Sequence, residues 1–150
     1  MNRHKVYLAG PLFTFGDRAF NRELALAICK LVPDVTFILP QEYAEAIYGQ
    51  ERFAERVFEF CIRSVDEADA VLCIVDGADA DSGTCVELGY AYARKKPILG
   101  IRTDFRSSED DGVNIMVRKT CSEYLWLPNT HLSMQEIVEA LVKAFDRLWG

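Results

Sequence analysis

Residues 70–102 read AVLCIVDGADADSGTCVELGYAYARKKPILGIR. Two short runs, AVLCIVDG (70–77) and PILGIR (97–102), bracket a polar turn and a helix-length segment, residues 84–95. Near-continuous apolar runs closed by Gly, Pro and Asp are the pattern of strands covered on both faces. Two such strands joined by a helix form a βαβ crossover, which makes the pair parallel.

The alternation continues outward from this unit. Upstream, KVYLAG (5–10) is a buried strand, RAFNRELALAICKLV (18–32) an amphipathic helix, and VTFILP (35–40) a second strand closed by proline. A polar, aromatic-dotted segment leads into a long helix over 52–69. Downstream, a polar loop at 103–112 precedes a short helix in VNIMVRKTC (113–121) and a fifth strand in YLWLP (124–128). A final amphipathic helix spans 133–149, with Ser133 and Glu136 spaced as a capping box. The expected fold is a single α/β domain over 1–150. It is doubly wound, flavodoxin-like or Rossmann-like, with a five-stranded parallel sheet and helices on both faces.

Composition narrows the function classes. The chain has 150 residues, half of them hydrophobic and 27% charged, the makeup of a soluble globular domain. A formal charge of −6 argues against a nucleic-acid polymer as partner. No apolar run is long enough to span a bilayer, and the N-terminus lacks a signal-peptide core, so a cytoplasmic location is expected. The five cysteines are scattered without a C-x-x-C pair, and the two histidines, His4 and His131, are far apart. Neither a disulfide framework nor a metal site is implied, and no cofactor is expected.

In an open parallel sheet, ligands gather beyond the carboxyl ends of the strands. That rule selects Gly10 and Phe13 after the first strand, Gln41 after the second, and Asp76, Asp79, Asp81 and Gly83 after the third. Glu87 lies one turn beyond, the only charged residue between Cys85 and Ala93. Two readings of it stay open. Thr84 and Glu87 fit a capping box, and helix first turns favour acids. Alternatively, a carboxylate packed among Val86, Leu88 and Tyr90, yet kept ionised by the helix N-terminus, suits a nucleophile. The aspartates likewise read either as a solvated turn or as partners that divide acid and base roles with Glu87. That division is the chemistry of glycosidic cleavage. There is no Gly-x-Gly-x-x-Gly loop and no Ser–His–Asp set.

Read together, VYLAGPLF (6–13), ADAVLCIVDGADADSGTCVELGYAYARKKPILGIRTDF (68–105) and VNIMV (113–117) resemble the nucleoside 2-deoxyribosyltransferase family. The resemblance implies that Glu87, in GTCVELG, attacks the anomeric carbon of a 2′-deoxynucleoside and carries the sugar as an ester until a second free nucleobase arrives. Tyr7 is similar to the tyrosine that orients this glutamate, and Asp81 to the acid that contacts the base and manages its proton. Asn114 and Met116 resemble residues donated into a neighbouring subunit's site, which implies a homo-oligomer. Gln41 would offer an amide to a base edge. Gly83 and Gly89 would allow close approach, with helix–sheet packing the alternative for Gly89.

One position departs from the family pattern. Many members carry a base-contacting aspartate where this chain has Cys61. A thiol is not an ionised acceptor of the same kind, so base preference and leaving-base protonation are both affected. Three functions remain in play. A transferase moves 2-deoxyribose between bases, a hydrolase on the same scaffold uses water on deoxynucleosides or their 5′-monophosphates, and a binding module has no turnover. Pro11, Leu12 and Phe13 would crowd a phosphate, which favours the first.

Overall fold

The computed structural model describes residues 4–107 and 111–150; residues 108–110, within the polar loop expected over 103–112, lie outside the described residues. The strands are β1 (His4–Ala9), β2 (Val35–Ile38), β3 (Ala70–Ile74), β4 (Ile98–Arg102) and β5 (Glu123–Trp126). The helices are α1 (Phe15–Leu31), α2 (Pro40–Ala46), α3 (Phe53–Glu67), α4 (Ser82–Ala93), α5 (Ile115–Thr120) and α6 (Met134–Trp149). The five strands form one sheet in the order β2-β1-β3-β4-β5, and every pairing is parallel. The chain therefore runs from β1 toward one edge and from β3 toward the other. That leaves a crevice beyond the carboxyl ends of β1 and β3, where the winding reverses.

The period-2 alternation of the strands divides the core in two. Val6, Leu8, Leu72, Ile74, Leu99 and Ile101 face α1 and α6, meeting Leu24, Ile28, Leu141 and Phe145. Tyr7, Ala9, Val71, Cys73 and Ile98 face α3, α4 and α5, meeting Val65, Leu88, Ala91 and Val117. Each fully buried Leu, Ile or Val contributes roughly 1.5–3 kcal/mol relative to exposure. That sum on both faces explains why β3 and β4 carry almost no polar residues. At Gly100 an added Cβ would lie 2.6 Å from the Cys121 Sγ and 2.9 Å from the Tyr124 ring. Only glycine lets α5 and β5 close over β4 there.

Helix ends moved relative to the sequence expectation for identifiable reasons. α1 begins at Phe15 because Thr14 and Asp17 form a reciprocal capping box (3.0 and 2.9 Å). Pro40 does not merely close β2; it occupies the first turn of α2, where a missing N–H is harmless. That seven-residue helix has too few turns to show a hydrophobic period. α6 carries the expected Ser133–Glu136 capping box. No helix among the described residues is long and apolar enough to cross a membrane.

Candidate active site

Tyr7 sits on β1 with its side chain on the α3/α4 face, and it is 0% exposed. A phenol buried that deeply needs a partner for its hydroxyl. The partner is Glu87: the Tyr7 hydroxyl donates to Oε1 at 2.7 Å, across 80 residues of sequence.

The start of α4 explains why Glu87 is free to receive it. Asp81, and not Thr84, is the N-cap: its Oδ2 accepts from the Thr84 N–H (2.8 Å) and the Thr84 hydroxyl (3.1 Å). Glu87 then falls in the second turn, beyond the unsatisfied N–H groups. The capping-box reading of Thr84 and Glu87 is thereby corrected, because the cap is one turn earlier and already closed.

The electrostatics of Glu87 follow from this placement. Burial pushes its carboxyl above the ordinary glutamate range, hydrogen bonds from Tyr7 and Cys61 pull it back down, and the Asp81 charge pushes it up. Tyr7 is raised far above the usual phenol value, first by burial and then by the adjacent carboxylate, so it remains a donor. The Cys61 thiol is pushed up to about 11, chiefly by burial. The floor of the site is thus one carboxylate and two neutral donors.

A cavity of about 190 Å³ opens above this floor. Leu12, Phe13, Ala44 and Val57 make its apolar wall, while Cys61, Asp81 and Glu87 supply the polar groups. Gly10 and Gly83 also border it. Added Cβ atoms there would approach the Ile74 Cβ at 3.1 Å and the Asp81 Oδ2 at 3.2 Å, so both are tight positions. Gly89 has open space around it, so neither close approach nor helix–sheet packing explains that glycine. Through Leu12, Phe13 and Ala44 the cavity adjoins a second one of about 570 Å³, which runs past Arg18 and Gln41 to Tyr48 and Phe53. Drug-sized ligands occupy pockets of about 300–1,000 Å³; the space at Glu87 alone falls below that range and the adjoining one falls within it.

Two residues selected at the rim turn out to be held by the protein itself. The Gln41 amide donates to the Arg18 carbonyl (2.9 Å) and accepts from Asn21 (3.1 Å), and the residue is 2% exposed, so one donor and one lone pair are already engaged by the protein. Asn21 also donates to the Pro11 carbonyl, and Arg18 donates to the Leu12 and Phe13 carbonyls. This network locks the 10–14 loop in place, and sequence gave no sign of it beyond the residue types. Asp76 accepts from the Thr103 N–H (2.6 Å), the Thr103 hydroxyl (2.5 Å) and the Asp104 N–H (3.0 Å). It ties the end of β3 to the end of β4 and borders a separate recess with Asp17. Asn114 caps α5, accepting from the Met116 N–H at 2.9 Å. Met116 is 73% exposed, and neither residue lines the Glu87 cavity of its own chain. Pro40, Ala44 and Val57 join the cavity although their residue types carried no chemical signal.

Comparison with known proteins agrees with this architecture. The sequence model of the family described as nucleoside 2-deoxyribosyltransferase matches residues 6–142. An uncharacterized protein of Ureaplasma parvum serovar 3 is 32% identical over 116 residues, covering 68% of this chain and 72% of that protein. Among solved structures, the 2-deoxyribosyltransferase of Bacillus psychrosaccharolyticus superposes with a TM-score of 0.68 at 22% identity, over 89% of this chain and 90% of that one. The CMP N-glycosidase of Clostridium botulinum superposes with a TM-score of 0.61 at 13% identity, over 92% and 98%. At these identities the two superpositions speak to the fold.

Proposed function

The chain belongs to the nucleoside 2-deoxyribosyltransferase family, and we propose that it exchanges nucleobases on 2-deoxyribose through a covalent ester on Glu87. The observation that carries this reading is the 2.7 Å hydrogen bond from Tyr7 to Glu87, a carboxylate that lines the rim cavity.

The steps follow from the residues present. A Glu87 carboxylate oxygen attacks C1′ of a bound 2′-deoxynucleoside. The bond from C1′ to the base nitrogen breaks, and its electron pair leaves with the base. Without a 2′-hydroxyl to withdraw electrons, positive charge at C1′ is easier to bear, so a modest nucleophile suffices. Tyr7 holds the carboxylate in line and keeps its own proton, since burial raises the phenol far above its usual value. Asp81 has one oxygen committed to Thr84, and its other oxygen serves the base as a proton relay, passing a proton to the nitrogen of the departing base. A second base then attacks C1′ and gives its N–H proton back to Asp81, the ester breaks, Glu87 regains its charge, and two inversions give net retention. Asn114 and Met116 reach a neighbouring subunit's site in this reading, and the exposure of Met116 is compatible with that role.

An uncharged 5′-hydroxyl suits the loop better than a phosphate. The N-terminus of α1 is closed by its own Thr14–Asp17 capping box, and the neighbouring recess presents Asp17 and Asp76. A phosphate there would meet carboxylates where an anion site needs free N–H groups.

Deoxyinosine incubated with and without free adenine tests the proposal. Deoxyadenosine should form only with adenine, and Glu87→Ala should form none. Free deoxyribose in both tubes would instead indicate hydrolysis. Undiminished exchange by Glu87→Ala would overturn the role of Glu87, and ligand binding without any turnover would indicate a binding module.

A further inference from the structure

Three side chains converge from three different elements: Cys61 from α3 and Glu87 from α4 line the cavity, and Tyr7 from β1 lies behind them, bonded to Glu87 and packed near Cys61. The Tyr7 hydroxyl has a single proton, and it goes to Glu87 Oε1. A carboxylate accepts up to about four hydrogen bonds, so Tyr7 alone leaves most of a half-buried charge unsatisfied.

Cys61 is the other side chain here with a proton to offer. It borders the same cavity as Glu87 and packs against the Tyr7 cluster, close enough that the thiol and the Glu87 carboxylate shift each other's ionisation. In this chain two opposing demands meet at this point. The group continues the apolar wall of Val57 and Ala44, yet it stands where a proton can be offered to the carboxylate. A thiol does both. An alkyl group would supply no proton, and a second carboxylate would set like charges against each other.

We propose that Cys61 is a positioning residue for Glu87, its neutral thiol donating to the carboxylate alongside Tyr7 so that the nucleophile stays aimed and ionised in an apolar pocket. The proposal rests on the reading of Glu87 as the nucleophile. It also leaves Asp81 as the ionisable group that serves the base, because Cys61 is turned to the nucleophile.

The groups facing Glu87 are Tyr7 from β1, Cys61 from α3, Asp81 at the cap of α4 and Cys73 from β3. Tyr7 and Cys61 favour the charged form, while burial and Asp81 oppose it. Removing the Cys61 proton therefore raises the pH at which Glu87 ionises. Because attack requires the ionised form, the acid limb of kcat/KM moves to higher pH.

The test uses Cys61→Ala, Cys61→Val, Cys61→Ser and Cys61→Asp in the full-length protein. Two readouts are compared: the carboxyl-carbon NMR titration of Glu87, and the pH profile of base exchange. Both midpoints should rise in the Ala and Val variants and rise furthest in Asp. In Ser, whose hydroxyl replaces the donor, they should stay at or below wild type, with kcat rescued relative to Ala and KM little altered. Midpoints that coincide in wild type, Ala, Val and Ser would overturn the proposal, leaving Cys61 as packing. The NMR titration needs no turnover. Absence of exchange in every variant, wild type included, would therefore count against the Glu87 chemistry while the role of Cys61 is still decided.

Discussion

Replacing Tyr7 with Phe removes one oxygen from a side chain that is 0% exposed and leaves the ring packing against Val71, Leu88 and Ala91 intact. The lost interaction is the 2.7 Å bond to Glu87 Oε1. Hydrogen bonds to charged groups are worth about 1.5–3 kcal/mol, and each 1.36 kcal/mol is tenfold in rate, so full loss in the transition state corresponds to about 10- to 150-fold. Part of the bond's strength stabilises the resting carboxylate too, which lowers the expected loss in kcat/KM on the pH plateau to about 10- to 100-fold. The variant has a second signature. Tyr7 lowers the pH at which Glu87 ionises, so without it the acid limb moves to higher pH. The assay is the initial rate of deoxyadenosine formation from deoxyinosine and adenine from mildly acidic to neutral pH. Circular dichroism confirms that the variant is folded. A plateau within about twofold of wild type and an unmoved acid limb would refute the orienting role.

Glu87→Gln should abolish exchange yet stabilise the fold at neutral pH. A carboxyl whose value is raised on folding is most stabilising below its unfolded value, and that contribution is lost as pH rises through the folded value. The melting temperature should rise above wild type at neutral pH and the gain should vanish in acid; thermal scans at both pH values check it. Asp76→Ala orphans the Thr103 and Asp104 N–H groups and should cost about 2–4 kcal/mol, read from the urea midpoint. If Met116 completes a neighbour's site, mixing unfolded Glu87→Ala and Met116→Ala chains and refolding them together should restore about a quarter of wild-type sites. No recovery would argue against sharing.

The βαβ unit over residues 70–102 was legible because its strands are buried on both faces, and burial on both faces writes itself as a continuous apolar run. α2 was not, since seven residues beginning with Pro40 give no period to read. At the site, Glu87 stood out as a charge in an apolar segment, but its local spacing to Thr84 mimicked a cap. Only the placement of Asp81 at the cap distinguished the two. Gln41 and Asp76 carry the right atoms at the right strand ends. What those atoms bond to depends on Asn21, Arg18 and Thr103, which lie 20 to 27 residues away.

By itself, the sequence determined the parallel α/β domain and the end of the sheet at which chemistry collects, because hydrophobic periodicity and strand ends are local properties of the chain. The tertiary structure decided which side chains meet. The β1–β3 register places Tyr7 beside Val71, and the docking of α3 and α4 on that face brings Cys61 and Glu87 to one hydroxyl. Contacts across 80 residues arise from packing, and no local pattern encodes them.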